Sequence, residues 1–291
     1  MIDFYSSICG MDYVCQAASS ADYPYCQDGK LHLFSYKEKD PSYTRTSVCF
    51  VVDDNFTAAG YDDPGYWKIG IVLQDVRAAV RCFRERGSRV GSPGQFVDVG
   101  FLTSLRDPQG YSIELLQDSF EENFREVGGE RAAPLNQPYM PAIGQITIRS
   151  READKTCHFY TAVLGMKLLC TEVPGNRYPF TLYFFAYTAE EPPNSQDLSA
   201  VENREWTYQR PYCQIEVQHC HNLPSNFSYQ THDQVGSDIR LGHVGISLQV
   251  SRERIREIVA KDQGARYLNV DQSVAHISDP DGYLIELSCE Q

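Results

Sequence analysis

The chain has 291 residues, is 42% hydrophobic and 22% charged, and carries a formal net charge of −13. This is the balance of a globular protein long enough for two domains with a core each, and the acidic excess argues against nucleic acid or an anionic membrane as partner. No apolar run has membrane-spanning length, the first residues lack the basic and apolar regions of a signal peptide, and ten cysteines show no CxxC spacing, so reduced thiols, no membrane partner and a cytoplasmic setting are expected.

In chain order, Ile2 to Cys9 reads as a short helix. An irregular stretch from Ala17 to Lys30 follows, then strands near Leu31–Tyr36 and Ser47–Val52. Lys68–Leu73 reads as a strand. Val76–Glu85 reads as a helix, with Val76, Ala79, Val80 and Phe83 on one face and Gly87 as its stop. Strands near Phe96–Asp98 and Val99–Leu105 lead to a turn at Asp107 and a last strand. A Gly- and Pro-bearing linker is placed at residues 119–140, between domains at 1–118 and 141–291. The second part gives a strand at Gln145–Arg149 and a helix at Ala153–Leu164. Strands follow at Lys167–Cys170 and Phe180–Tyr187, then a polar loop at Glu190–Glu205. A strand at Tyr212–Gln218 and a long loop at His221–Arg240 come next. A strand at His243–Val250, a helix at Arg252–Asp262 and two closing strands complete it.

The closing segment, Asp279-Pro280-Asp281-Gly282-Tyr283-Leu284-Ile285-Glu286-Leu287, is a tight turn followed by a strand. Its phrase occurs earlier as Asp107 to Leu115, so the string DPxGYxIEL is present twice, and chance is a poor explanation. Further echoes keep the same order. Phe4-Tyr5 matches Phe159-Tyr160, Leu31–Tyr36 matches Leu182–Tyr187, and Trp67–Ile71 matches Gly242–Ile246. The chain is read as a duplication of βαβββ units, an α+β fold with curved, mostly antiparallel sheets. The first copy has no residues left for its opening strand.

Polar side chains sit inside the strands of the second half. Gln145, Thr147 and Arg149 share a face by the strand period of two, as do Glu216 and Gln218. His243 opens a strand and Glu286 lies mid-strand. An amide oxygen, two carboxylates and an imidazole make an oxygen-rich, thiolate-free set suited to a six-coordinate Zn²⁺, Ni²⁺, Co²⁺ or Mn²⁺. Cys213 and Cys220 read as plain thiols beside that set.

On these motifs residues 143–289 resemble glyoxalase I (lactoylglutathione lyase) of the vicinal oxygen chelate superfamily. Phe159–Leu168 is similar to the family's FYxxVLGMxL and Phe180–Tyr187 to its FSLYFLAY. Gly242–Ile246 is similar to GHIGI and Asp279–Leu287 to DPDGYWIEI. The resemblance implies four βαβββ modules forming two glyoxalase domains. It implies one divalent ion per chain, zinc first, held by Gln145, Glu216, His243 and Glu286. It also implies isomerisation of the glutathione–methylglyoxal hemithioacetal through an enediolate, in a monomer or homodimer. Glu286 would be the base and Glu216 a ligand and second proton carrier. Arg149, Leu182, Phe184, Asn222 and Arg240 would meet substrate. Asn222 and Arg240 are displaced from the family's spacing, and Gly264–Ser278 lacks the family's lysines.

By the same resemblance the first half is degenerate. Val51 falls near the glutamate position and Lys68 stands where His243 stands, so only Glu114 remains. A protonated lysine cannot ligate, so this half should be metal-free, with a Lys68–Glu114 ion pair in its place. Joining all four ligands requires the third module to pair with the fourth, within a chain or by exchange between two chains. The rivals are another isomerase or epimerase of the superfamily acting on a 1,2-dioxygenated substrate, or a non-enzymatic small-ligand-binding protein on this fold.

Overall fold

The computed structural model describes residues 4–9, 11–17, 31–35, 47–51, 66–108, 110–124, 142–175, 177–227, 229, 245–262 and 264–289. A π-helical turn at Phe4–Ile8 opens the chain, and strands β1 (Asp12–Ala17), β2 (Leu31–Ser35) and β3 (Ser47–Val51) form an antiparallel sheet. The next unit is β4 (Tyr66–Leu73), helix α1 (Val76–Glu85), β5 (Gly94–Phe96), β6 (Gly100–Arg106) and β7 (Ser112–Gln117). The third is β8 (Ala142–Ser150), α2 (Ala153–His158), β9 (Lys167–Glu172), β10 (Phe180–Ala186), α3 (Glu202–Tyr208) and β11 (Gln214–Cys220). The last is β12 (Ile246–Val250), α4 (Arg252–Lys261), β13 (Arg266–Tyr267), β14 (Val274–Ser278) and β15 (Leu284–Cys289). The curved, mostly antiparallel α+β architecture read from the repeat is the one observed.

Local sequence explains most of these elements. Asp75 caps α1 by accepting from the Ala78 amide at 2.8 Å, and Gly87 takes a φ of 80° just past its end; only a residue without Cβ enters that region freely. Ser251 caps α4 in the same manner. The Ala153–Leu164 helix is real, but its second part, Phe159–Val163, winds as a π turn. Three elements went unread: β1, α3 and the two-residue β13, since two closing strands were expected and three are present. Strand β1 falls before the irregular stretch, and α3 lies at the end of a segment expected to be loop. Five of its seven residues are polar, the others being Trp206 and Tyr208, and no side chain caps it. Helix α3 owes its place to tertiary contacts.

The repeated strings fold into the same lock twice. In each turn the first aspartate backbone bonds the tyrosine four residues on, Asp107 N to Tyr111 O and Asp279 N to Tyr283 O, both at 3.0 Å. Gly110 and Gly282 take φ of 94° and 92°. The Tyr5 hydroxyl donates to Asp107 at 2.9 Å, and that of Tyr160 to Asp279 at 3.2 Å. Phe4–Tyr5 and Phe159–Tyr160 are both edge-on ring pairs. Each FY turn is thereby pinned to a DPxGY turn within its own half of the chain. The cores follow suit. One groups Tyr5 and Met11 with Val76, Phe83, Phe101 and Leu115. The other groups Tyr160 with Ile255, Ile277 and Ile285.

The sheets do not respect those halves. Strand β4 pairs antiparallel with β8, fusing the second and third units into one eight-stranded sheet, β5-β6-β7-β4-β8-β11-β10-β9. The fourth unit stands as a separate sheet, β12-β15-β14-β13. The expected pairing of the third unit with the fourth, within a chain or by exchange between two chains, is not seen among the described strands of this chain, where the third pairs with the second. Two glycines make the seam. A Cβ on Gly70 would fall inside the Cγ and Cδ of Gln145, and one on Gly144 inside the side chain of Val72. The strands approach this closely because those atoms are missing.

Gly70→Ala should therefore lower stability by about 1–3 kcal/mol, read as a drop in the urea midpoint at unchanged slope. A change below the error of the measurement would mean that Gln145 is free to move aside.

Candidate functional site

The seam brings four ionisable or amide side chains onto one face of four adjacent strands. Gly70 is opposite Glu114 on β7 and opposite Gln145 on β8. Thr147 is opposite Lys68 on β4 and opposite Glu216 on β11. By the strand period Lys68 and Gly70 share a face, and the space that Gly70 leaves is taken by the Gln145 side chain. Its Nζ sits 2.6 Å from Glu114 Oε1 and 3.5 Å from Glu216 Oε2. The expected Lys68–Glu114 ion pair is present, and Glu216 joins it. The Gln145 amide nitrogen donates to Glu216 at 2.8 Å and to Glu114 at 3.2 Å, and the Thr147 hydroxyl also donates to Glu216. All five residues are buried, none more than 7% exposed.

The electrostatics follow from counting charges. One ammonium faces two carboxylates in a site closed to water, where unpaired charge is very costly. Burial by itself would lower the pKa of Lys68, but Glu114 and Glu216 outweigh it, and the ammonium is held above its usual value. Burial raises the pKa of Glu216, partly offset by Lys68. The ammonium stays charged, and the carboxylate in excess binds a proton more readily than usual.

This cluster does not fit a divalent ion. A protonated lysine offers no lone pair, and its Nζ stands between the carboxylates that would be ligands. Gln145 points its amide nitrogen at them, whereas a ligand would present its oxygen. Among the described residues no group of three His, Cys, Asp or Glu side chains is placed to hold a metal.

The remaining predicted site residues are dispersed. Glu286 lies on β15 of the separate sheet, accepts from Ser247 at 3.1 Å and faces His276 at 3.4 Å. None of the described contacts of Gln145 or Glu216 reaches it. His243 and Arg240 lie outside the described residues. Arg149 donates to Gln218 at 2.9 Å and lies over the Trp67 ring. Asn222 takes a φ of 59° in the turn after β11. Leu182 and Phe184 are buried against Tyr208, Leu116 and Phe120. The Cys213 thiol donates to the Gln214 carbonyl at 3.6 Å and that of Cys220 to Gln218 at 3.6 Å.

Sequence reading missed three polar residues. His276 sits inside an apolar strand, where only its register against Glu286 marks it. Glu172 and Tyr208 lie beyond the cluster on the same packed side. The Tyr208 hydroxyl is 2.7 Å from the Val99 carbonyl oxygen and 2.9 Å from Glu172 Oε1. Glu172 Oε2 has no partner. Burial, opposed by Arg204 and Tyr208, pushes the Glu172 carboxyl up to about 8. In its neutral form it can donate from Oε1 to Tyr208 while Tyr208 donates to Val99. Period-two alternation with Cys170 was the available signal for Glu172. Helix α3 also bridges the two halves: Arg204 pairs with Asp98 at 2.7 Å, and Glu205 accepts from the Phe120 amide at 2.5 Å and from Asn123 at 2.8 Å.

The fold and its strand-borne site define a vicinal oxygen chelate protein. No family model matches the chain. Over 151 residues it is 30% identical to the lactoylglutathione lyase of Pseudomonas aeruginosa, a match covering 48% of this chain and 77% of that protein. On that similarity the chain belongs to the glyoxalase I family of the superfamily. A lactoylglutathione lyase of Arabidopsis thaliana is 26% identical over 167 residues, 56% of this chain; the match spans about half, 52%, of that relative's length. The crystal structure of glyoxalase I from Zea mays superposes with a TM-score of 0.64 at 15% identity, covering 99% of this chain and 86% of that one. That likeness is one of fold.

The raised Glu172 carboxyl has a pH signature. A group whose folded pKa lies above its unfolded value contributes stability that is complete below the unfolded pKa and is lost as pH rises through the folded one. Here the window runs from 4.5 to about 8. Wild-type stability should fall across that window by a few kcal/mol in order of magnitude, with Glu216 contributing in the same sense. Glu172→Gln should flatten the slope, as read by urea unfolding at several pH values. Parallel slopes for the two proteins would show that Glu172 ionises in the folded state as it does in water.

Proposed function

We propose that this chain is a vicinal oxygen chelate protein that binds a small molecule without metal-dependent lactoylglutathione lyase chemistry. The observation that carries this reading is the Lys68 ammonium held between Glu114 and Glu216. The lyase reaction needs an open, Lewis-acidic ion to stabilise an enediolate. In this chain Gln145 and Glu216 meet a tethered cation, while Glu286 stands on another sheet. The apolar residues beside the cluster, Leu182 and Phe184, pack with Tyr208.

The ligand-binding surface we favour is the face of β12, β14 and β15 that carries Ser247, His276 and Glu286. Ser247 and Gln249 are exposed there, whereas Glu286 and His276 are largely covered. A carboxylate, an imidazole and a hydroxyl in one row suit a small 1,2-dioxygenated molecule, with its hydroxyls donating to Glu286. A second reading draws on the same contact: a carboxylate 3.4 Å from an imidazole can exchange a proton with a bound substrate, as an isomerase or epimerase requires.

Purified protein supplied with glutathione and methylglyoxal should form S-lactoylglutathione no faster than the buffer control, with or without added Zn²⁺, Ni²⁺ or Co²⁺. Metal-dependent turnover that is lost in Glu216→Gln would overturn the proposal. Titration calorimetry with 2-hydroxy acids and α-dicarbonyls should show binding that Glu286→Gln weakens roughly ten- to a hundredfold, the range for one charge-assisted hydrogen bond. Turnover of such a ligand would select the isomerase reading over plain binding.

A further inference from the structure

We infer that His219 and His221 form a two-imidazole site for a late first-row divalent ion, Cu²⁺ before Ni²⁺ or Zn²⁺, on the face of β11 opposite Glu216. The site is separate from the Lys68 cluster and from the Glu286 surface, and it goes beyond the reading above.

The strand sets the pair. Strand β11 ends at Cys220, and the His221 amide donates to the Pro179 carbonyl at 2.7 Å, which carries the ladder one residue further. His219 and His221 therefore share one face, with Glu216, Gln218 and Cys220 on the other. The Cys220 thiol bonds Gln218 on that other face and takes no part. Both imidazoles are half-buried where the strand leaves the sheet, so a hydrated ion can reach them.

Each ring is anchored through one nitrogen. His219 Nδ1 lies 3.2 Å from the Ser150 carbonyl oxygen. A carbonyl only accepts, so Nδ1 carries the proton and Nε2 keeps its lone pair. His221 Nε2 lies 2.9 Å from the Thr181 hydroxyl, which accepts from it in the tautomer that leaves a lone pair on Nδ1. Among the described residues nothing bonds His219 Nε2 or His221 Nδ1. An imidazole that donates one N–H to a fixed acceptor and keeps the other nitrogen bare is oriented as metal-binding histidines are.

The ring separation matches a shared ion. Alternate residues on a strand are about 6.6 Å apart, yet the two ring centres are 5.4 Å apart and the planes are inclined by 54°. The rings lean together without stacking. A nitrogen about 2.0–2.1 Å from an ion puts its ring centre about 3.2 Å away, so two rings on one ion have centres roughly 4.5–5.5 Å apart at coordination angles of about 90–120°. Among the described residues no group of three His, Cys, Asp or Glu is formed here. Water fills the other positions, and two neutral nitrogens with water suit tetragonal Cu²⁺ best.

The test titrates the full chain, after chelator treatment, with Cu²⁺, Ni²⁺ and Zn²⁺ in turn. Calorimetry follows binding, and electron paramagnetic resonance counts the nitrogens on Cu²⁺. One tight Cu²⁺ per chain is expected, held more strongly than Ni²⁺ or Zn²⁺, with splitting from two imidazole nitrogens. His219→Ala and His221→Ala should each weaken it at least roughly tenfold, the least that losing even a hydrogen-bond partner of a ligand costs, and each should leave one nitrogen in the spectrum. His158→Ala, at the exposed end of α2, should change neither readout. Affinity that survives both histidine variants, or the absence of any tight ion, would overturn the inference and leave the functional reading standing. An ion kept in both histidine variants and lost in Glu216→Gln would overturn the two together. If His219→Ala fails to fold, His221→Gln decides, since residue 221 lies past the end of β11: unchanged affinity there overturns the site.

Discussion

A single ammonium held by two buried carboxylates sits on the seam between the second and third repeat units. Lys68 and Glu114 belong to one unit, Gln145, Thr147 and Glu216 to the other. Two contacts cross from one half of the chain to the other, Lys68 to Glu216 and Gln145 to Glu114, while Lys68–Glu114 and the bonds of Gln145 and Thr147 to Glu216 stay within their own units. Deleting one partner of such a buried group is far more costly than the net worth of the intact set, about 3–5 kcal/mol. The cluster is a weak source of stability but a strong source of specificity. It tolerates one strand register, because a shift of one residue would turn Gln145 and Glu216 to the opposite face.

The rest of the architecture is consistent with this seam. Each half keeps its own Tyr–Asp lock, and a further core is shared between them, where Val72, Val99, Leu116 and Phe120 cluster with Cys170, Leu182, Phe184 and Tyr208. What the halves share is the eight-stranded sheet and the bridge made by α3. Tyr208 and Arg204 bring that helix onto β6 and the preceding turn through Val99 and Asp98. The same helix covers Leu182 and Phe184, which a ligand-lined cavity would leave open. The Lys68 ammonium between two carboxylates and the closure of the apolar side belong to one packing arrangement.

Much of this was readable in the residues. The doubled DPxGYxIEL string gives the repeat, and the period of two places Gln145 with Thr147 and Glu216 with Gln218 on their faces. Aligning the strings puts Lys68 at the histidine position and so gives its ion pair with Glu114. The partner of β8 was not readable, because alternation states which face a residue occupies and is silent about which edge meets which strand. Four ligand-type residues in one half suggested a site inside that half. The glycines at 70 and 144 were the available counter-signal, since glycine inside a strand marks a close approach. Strand β1 and helix α3 went unread because each is short, and α3 lacks both a cap and an apolar stripe. Glu172 was hidden by an ordinary-looking strand, and its burial depends on α3.

The central claim, that an ammonium occupies the place of the ion, is tested most directly by diffraction. Crystals of the wild-type protein grown in Zn²⁺ should be measured on both sides of the zinc absorption edge. The account predicts continuous density for Lys68 reaching between Glu114 and Glu216, and no anomalous peak within about 2.0–2.2 Å of a Glu216 oxygen. An anomalous peak there, with Lys68 swung out of the cluster, would contradict it.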